Sequence, residues 1–228
     1  KKLKKGDKNF THTSLGEPPD HGYPGNFHIP NSELDIFHKL YHKHVFINNR
    51  KCYLTEKHEE YSPILIDLDF RFSSDIKERK YNQNTIIDFL KLYVDQLKLY
   101  LNTNDDKITT FIMEKKSPNV QEDKGITKDG IHIVMPYIIT EPKIQYIIRH
   151  NLIHLPECKQ IFDQIGVQNP IEDIIDLSVI ERNNWQMYGS RKPRCDQYKI
   201  TKILSYMSIS KDFKHLSLDS FNEEKLVS

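Results

Sequence analysis

The strongest strand pattern in this chain is the ten-residue stretch PILIDLDFRF at residues 63–72. Successive side chains of a strand point to opposite faces. One face is therefore wholly apolar and carries Ile64, Ile66, Leu68 and Phe70. The opposite face carries Asp67, Asp69 and Arg71 together with Leu65. We therefore predict a half-buried strand that presents two carboxylates on its polar side.

Asp67 and Asp69 lie about 7 Å apart along such a strand. Two like charges this close repel each other, and partial burial adds a desolvation cost unless a cation lies between them. Because the donors are oxygens only, magnesium or manganese is the cation that fits. The alternative is a solvated edge strand whose polar residues face water, and a motif as short as D-x-D leaves that alternative open.

Around this strand, the hydrophobic pattern predicts alternating helices and strands. Helices are predicted after residue 32, over 85–101, and over 142–165 with a break at Pro156. Strands are predicted over 52–55, 108–114 and 131–137, with shorter strand-like runs at 174–180, 185–188 and 198–207. Residues 1–30 are rich in glycine and proline and are predicted to be an irregular lead-in. We therefore predict a single domain over residues 1–228, of the α+β or mixed α/β class.

A second candidate motif is KDGIHIV at residues 128–134. Gly130 has no side chain, so a ligand or a neighbouring backbone can approach it closely. His132 points away from its two isoleucine neighbours, onto the face that Gly130 leaves uncovered. With Lys128, it could hold a triphosphate. The alternative is an ordinary surface histidine on a strand.

A third candidate is Asp176, a lone carboxylate in the apolar run at 174–180, where a metal ion would again compensate its charge. The turn Gly189-Ser190-Arg191-Lys192 follows it and offers backbone N–H donors and two cations, which are groups that bind phosphate. The alternative for this turn is an ordinary polar turn with exposed cations.

The composition excludes some classes of protein. A net charge of +1 excludes a generally basic coat for nucleic acid but allows a local basic groove. The apolar runs are too short for a membrane span. Three widely spaced cysteines predict an intracellular, reducing compartment without a disulfide framework. The chain contains no alanine, which is typical of an AT-rich genome, and its start at lysine predicts a fragment of a longer protein.

The order of these motifs resembles the archaeo-eukaryotic primase superfamily: an Asp-x-Asp strand, a small-x-His strand, then an apolar-Asp run followed by a basic turn. Residues 65–72 and 184–192 are most similar to the N-terminal primase domains of primase-helicases of nucleocytoplasmic large DNA viruses, and the chain also resembles eukaryotic primase-polymerase. The resemblance covers about residues 54–193. It implies a central, mostly antiparallel sheet with an RRM-like catalytic core flanked by helices.

The resemblance also implies a role for each candidate residue. The catalytic residues, which are also the ligands of Mg²⁺ or Mn²⁺, would be Asp67, Asp69 and Asp176. The nucleotide-binding residues would be Lys128, Gly130, His132, Ser190, Arg191 and Lys192. Gln186 departs from the family, which tends to carry an arginine there, so that charge would come from Arg191 or Arg71. Gly130 stands where serine is also common, so a hydroxyl contact is lost.

The implied reaction is two-metal nucleotidyl transfer, which synthesises primers from nucleoside triphosphates on a single-stranded DNA template during viral-type DNA replication. The resemblance further implies a C-terminal superfamily 3 helicase domain in the same chain, and action in the host cytoplasm (the viral factory) or nucleus. No G-x-x-x-x-G-K-[ST] motif occurs in these 228 residues, so they do not themselves carry the ATPase.

Two other functions compete with this interpretation. A metal-dependent nuclease or phosphodiesterase would also use an Asp-x-Asp pair, but the basic turn favours a triphosphate. A catalytically silent single-stranded nucleic-acid-binding module would not need the full set of carboxylates and His132. His150, His154 and Cys158 could present zinc ligands at helical spacing, but Pro156 interrupts that helix, so we expect core or surface roles for them.

Overall fold

The structure is a computed structural model, and it describes residues 9–220. Its strands are β1 (His12–Glu17), β2 (His21–Phe27), β3 (Leu54–Glu56), β4 (Ser62–Ser73), β5 (Thr109–Glu114), β6 (Asn119–Gln121), β7 (Ile126–Thr140), β8 (Trp185–Gln186), β9 (Lys199–Met207) and β10 (Asp212–Leu216). Its α-helices are α1 (Leu34–His42), α2 (Gln83–Tyr100), α3 (Pro142–His154), α4 (Pro156–Asp163) and α5 (Ile171–Ile174). A π-helical turn, Lys43–Ile47, continues α1.

The chain divides into two compact units. The described residues of unit 1 are 9–59, 182–199 and 217–220, and they contain a four-stranded sheet in the order β2-β1-β3-β8. Unit 2 comprises residues 60–181 and 200–216, and its sheet has the order β10-β9-β5-β7-β4, with β6 also paired to β7. Strands β4, β5 and β6 each pair with β7 in the antiparallel sense. Helices combined with antiparallel sheets confirm the predicted α+β class.

The core of unit 2 lies between its sheet and helices α2, α3 and α4. The apolar face of β4 contributes Ile64, Ile66, Leu68 and Phe70, none of which is more than 3% exposed. Helix α2 contributes Phe89 and Leu90. Full burial of each such side chain stabilises the fold by about 1.5–3 kcal/mol. Because this face of β4 is committed to the core, the carboxylates of β4 must lie on the other face.

The main elements lie close to their predicted positions. Strand β4 exceeds the predicted 63–72 by one residue at each end, and α2 begins two residues before the predicted start at residue 85. The expected helix break is confirmed, because α3 ends at His154 and Pro156 is the first residue of α4. Proline is tolerated there because the first turn of a helix does not need its N–H.

Three predictions of local structure are wrong. Residues 12–27 form the hairpin of β1 and β2 rather than an irregular lead-in, while residues 1–8 lie outside the described part. The strand predicted over 131–137 begins earlier, because residues 126–130 also belong to β7, where β4 and β6 pair with them on either side. The run 174–180 is not a strand: α5 ends at Ile174, and a single bridge joins Ile175 to Leu68 of β4.

Candidate metal and nucleotide site

Strand pairing places the first three predicted residues in one row. In the register of β4 with β7, Asp67 is opposite His132. On the other side of β4, the bridge between Leu68 and Ile175 continues into a hydrogen bond of 3.0 Å from the Asp176 N–H to the Asp67 carbonyl. Residues opposite each other on antiparallel strands share a face. Asp67 is therefore flanked by His132 on one side and by Asp176 on the other.

The three aspartates come together at this row. Asp67, Asp69 and Asp176 each offer a carboxylate oxygen, and these oxygens lie within 4.8 Å of one another. Asp67 and Asp176 are half-buried, and Asp69 is exposed. Within residues 9–220, no other group of three or more His, Cys, Asp or Glu side chains is arranged to hold a metal ion. The cluster predicted from sequence is thus formed by the fold.

The Asp67 carboxylate gives an independent indication that a cation can bind here. Its Oδ1 atom is buried and has no hydrogen-bond partner among the described residues. Its Oδ2 atom lies 3.6 Å from Nε2 of the buried His132. A buried carboxylate oxygen without a partner costs free energy unless a cation or donor reaches it. Three clustered carboxylates with such an oxygen fit a divalent ion that prefers oxygen ligands, which is Mg²⁺ or Mn²⁺.

Ser178 holds the Asp176 carboxylate and was not singled out from the sequence. Its Oγ lies 2.8 Å and 2.7 Å from the two carboxylate oxygens, and its backbone N–H donates to Oδ1 at 2.8 Å. Arg149 of α3 secures the backbone just before this turn by donating to the carbonyls of Ile175 and Glu172, each at 2.7 Å. The D-x-S spacing is the available signal, since aspartate commonly accepts from the residue two positions later.

Side-chain amides complete the outer edge of β4. Gln145, which is 2% exposed, accepts from the Leu65 N–H at 3.3 Å and donates to the Pro63 carbonyl at 3.2 Å. Asn169 donates to the Asp69 carbonyl at 3.0 Å and accepts from the Arg71 N–H at 2.9 Å. These contacts replace a neighbouring strand, so they fix the backbone on both sides of the carboxylates.

The predicted nucleotide-binding residues of β7 lie on the same face as the aspartates. Two residues along from the first row, Gly130 is opposite Asp69, and Lys128 is opposite Arg71 another two residues along. Arg71 also donates to Asp173, with Nη1 3.3 Å from Oδ2. The face therefore runs from carboxylates, past a position without a side chain, to two cations. Its rows are about 7 Å apart, because two residues of a strand span that length.

A buried ionic network lies on the opposite face of the same strands and was not predicted. Arg79 donates to Asp129 through Nε at 2.9 Å and to Glu114 through Nη1 at 3.2 Å. Lys202 lies 2.6 Å from Glu114, and Thr201 also donates to it. Burial alone would raise the pKa of Glu114, but the hydrogen bonds from Lys202 and Thr201 outweigh burial and lower that pKa. The network secures Asp129, the residue before Gly130.

Ser190, Arg191 and Lys192 belong to unit 1. The Ser190 side chain, 1% exposed, accepts from the Leu54 N–H at 2.9 Å and lies 3.2 Å from the Tyr41 hydroxyl. Its hydroxyl is thus engaged inside the unit. Arg191 donates to Gln197, but its Nε is buried without a partner among the described residues. Lys192 is exposed. Of these three predicted residues, Arg191 and Lys192 still have N–H donors that could bind a phosphate.

The alternative zinc site at the histidines is not formed. Cys158 is completely buried in the core of unit 2, and burial raises the pKa of its thiol to about 12. A protonated, buried thiol is a packing residue rather than a metal ligand. His154 donates from Nδ1 to the His150 carbonyl at 2.7 Å. The expected core role is therefore confirmed for Cys158.

Comparison with known proteins identifies the class that this sheet and site define. Residues 11–204 match the family model described as "C962R protein N-terminal AEP domain", where AEP denotes archaeo-eukaryotic primase. The match covers most of the chain, and the chain belongs to this family. The resemblance seen in its motifs is confirmed. Membership places the chain among primase-like nucleotidyltransferase domains, a family that is typically metal-dependent.

Two curated relatives come from large DNA viruses. The chain is 36% identical over 182 residues to "Putative helicase L207/L206" of Acanthamoeba polyphaga mimivirus, covering 80% of this chain and 18% of that protein. It is 28% identical over 231 residues to "Putative helicase 184R" of Invertebrate iridescent virus 6, covering 90% of this chain and 23% of that protein. The chain therefore spans about a fifth of the length of these relatives.

Helices α1 to α5 include no candidate membrane span. Across the described residues, none is both long enough and apolar enough to cross a bilayer.

Proposed function

We propose that this chain is the catalytic domain of a primase or primase-polymerase, which synthesises primers on a single-stranded DNA template by two-metal nucleotidyl transfer. The observation that carries the proposal is the carboxylate cluster of Asp67, Asp69 and Asp176 in a chain of the primase family, with one buried Asp67 oxygen that has no partner among residues 9–220. We also propose that residues 1–228 act as one catalytic domain.

The three aspartates would hold Mg²⁺ or Mn²⁺. Bound there, the ions supply Lewis acidity for the attacking hydroxyl and for the departing pyrophosphate. Asp67 and Asp69 are fixed by the backbone of β4, and Asp176 is fixed by Ser178 and by its own N–H on the Asp67 carbonyl. This rigidity keeps the carboxylates ready for the ions, so little reorganisation is needed when a nucleotide binds.

His132 and Lys128 would bind the phosphates of the incoming nucleotide. They share a face with the aspartates and are separated by Gly130, whose missing side chain leaves room for the triphosphate between them. Arg71 would add a second cation opposite Lys128. Arg191 and Lys192 are proposed as further phosphate contacts, and Ser190 as the residue that supports their turn. Charge reversal of Lys192 in a nucleotide-binding assay tests that assignment.

The proposed setting is viral-type DNA replication, with a superfamily 3 helicase domain in the same longer protein. The support is that both of these relatives are named putative helicases and are more than four times as long as this chain. A helicase exposes single strands, and a primase needs them, so the two activities belong naturally in one polypeptide.

The test is primer synthesis and extension on single-stranded DNA, with labelled nucleotides and Mg²⁺ or Mn²⁺. The wild-type chain is compared with Asp67→Asn/Asp69→Asn, which keeps the side-chain shape and removes two charges. Product that depends on nucleotides and disappears in the variant supports the proposal. Template degradation without nucleotides would identify a nuclease instead. Template binding without either product, in the wild type and in the variant, would identify a silent binding module.

A further inference from the structure

The helix of unit 1 carries a run of positive charge. Residues 36–51 contain four lysines or arginines, three histidines and no aspartate or glutamate. The cations are Lys39, Lys43, Arg50 and Lys51, and all four are exposed. Within the described part of the chain, none of them forms an ion pair. A concentration of unpaired cations on one segment contrasts with the net charge of +1 for the whole chain.

Two of these lysines lie on a stripe along the helix. Their neighbours on the exposed side are apolar: Ile36 is 55% exposed, Leu40 is 61% exposed and Ile47 is 67% exposed. We call Ile36, Lys39, Leu40, Lys43 and Ile47 the basic stripe. Their spacing of three, four, seven and eleven residues from Ile36 places them on one side of α1 and its π-helical continuation. The opposite side packs into the core of unit 1 through Tyr41 and Val45.

A stack of aromatic rings borders the basic stripe. His42 stacks on Phe46 with ring centroids 5.4 Å apart, and Phe46 stacks on Tyr188 at 5.3 Å. His42 and Phe46 are one helical turn apart and lie between the buried side of the helix and the row of Lys39 and Lys43. All three rings are half-buried. Cations therefore run alongside flat rings over about 6 Å, the length of four helical residues.

We infer that the basic stripe and its aromatic border form a binding surface for single-stranded nucleic acid. Lys39 and Lys43 contact successive phosphates, while the exposed aliphatic side chains and the ring stack contact sugars and bases. Paired cations and stacking rings are the combination that binds single strands without reading sequence. The inference rests on the proposed function for the identity of the strand, which would be the template. An acidic protein segment or a lipid surface would also be attracted to the cations, but neither has bases that could stack on the aromatic rings.

The experiment measures binding of a fluorescein-labelled oligothymidylate of about 16 nucleotides by anisotropy, from about 50 to 200 mM salt. The variant Lys39→Gln/Lys43→Gln is compared with Lys211→Gln/Lys214→Gln, which removes two exposed lysines from unit 2. Each lost phosphate contact lowers the slope of log affinity against log salt by about 0.7, so the stripe variant should lose about 1.4. The control should keep the wild-type slope. Thermal melts show whether both variants fold.

A second variant tests the aromatic border. His42→Ala should weaken binding of the oligothymidylate by roughly 5- to 100-fold, and should leave binding of an abasic strand of equal length unchanged. Equal slopes for the wild type and the stripe variant would overturn the inference. So would a stripe that binds phosphatidylserine vesicles and not DNA. Asp67→Asn/Asp69→Asn should bind the strand normally, so a failure of catalysis and a failure of this surface are distinguishable.

Discussion

Removing the hydroxyl of Ser178 tests whether the Asp176 carboxylate must be held in place to bind metal. In Ser178→Ala, both contacts from Oγ to the carboxylate oxygens, at 2.8 Å and 2.7 Å, are lost. The backbone N–H of residue 178 still donates to Oδ1, and the Asp176 N–H still donates to the Asp67 carbonyl. The backbone turn is therefore retained, and only the orientation of the carboxylate is relaxed.

The size of the effect follows from the kind of hydrogen bond that is lost. A hydrogen bond to a charged group is worth about 1.5–3 kcal/mol. If most of this free energy serves to orient the Asp176 carboxylate, the affinity for the metal ion should fall by about 10- to 100-fold. That is the range found when groups that orient metal ligands are removed. The free energy of unfolding should change by less, because the turn keeps its backbone bonds.

Titration calorimetry with Mn²⁺ in the absence of nucleotide measures this affinity directly. The matched control is Ser208→Ala. Ser208 also donates through its hydroxyl and its backbone N–H to a carboxylate, that of Asp105, outside the metal cluster. The control removes the same chemical group from the same kind of contact, and it should bind Mn²⁺ like the wild type. Its expected effect is instead a higher pKa for Asp105, which these hydrogen bonds lower to about 2.

The reasoning is refuted if Ser178→Ala and wild type bind Mn²⁺ with equal affinity while Asp176→Asn abolishes binding. That pair of results would mean that Asp176 is a ligand that needs no support from Ser178. Equal Mn²⁺ affinity in all three proteins would instead show that Asp176 is not a metal ligand.

Three further changes probe stability. Gly189→Ala should destabilise the protein by about 2–5 kcal/mol in urea unfolding, because φ is +84° and the new Cβ would lie 2.7 Å from Phe46 Cζ. Asn169→Ala should cost about 1–3 kcal/mol in the same assay and also weaken Mn²⁺ binding, since it frees two backbone groups of β4. Burial, and secondarily the charge of His38, lowers the pKa of His12 to about 4. Between pH 6.5 and 4, His12 therefore binds a proton in the unfolded chain but not in the folded chain. Stability should fall by up to about 3 kcal/mol as pH drops from about 6.5 to 4, and His12→Gln should reduce that fall.

Strand β4 and the identity of its carboxylates were predictable from sequence because they depend on a local, period-two pattern. Ile64, Ile66 and Leu68 are buried as that pattern requires. The helix break at Pro156 was predictable for an equally local reason, the missing N–H of proline. The place of Asp176 beside Asp67 came from the family resemblance and not from a local pattern, because Asp176 is brought there by one bridge and a turn rather than by a strand.

The unpredicted parts depend on contacts between distant residues. The hairpin at 12–27 contains three glycines and three prolines, which usually interrupt strands, and its strand β1 also pairs with β3 far along the chain. The early start of α2 is a local exception, because it comes from Asn82, whose side chain accepts from the backbone N–H groups of Asn84 and Thr85. Arg79 is separated by 50 residues from its partner Asp129, so no local pattern indicates the buried network.

The amide-covered edge of β4 also has a consequence for solubility. An edge strand with open N–H and C=O groups is a template on which another chain can add a strand, and it is a common starting point for aggregation. Gln145, Asn169 and the N–H of Asp176 already engage one backbone group at each of five residues, which are Pro63, Leu65, Asp67, Asp69 and Arg71. The contacts that hold the carboxylates in place therefore also protect β4, a strand rich in isoleucine and phenylalanine, from pairing with another chain.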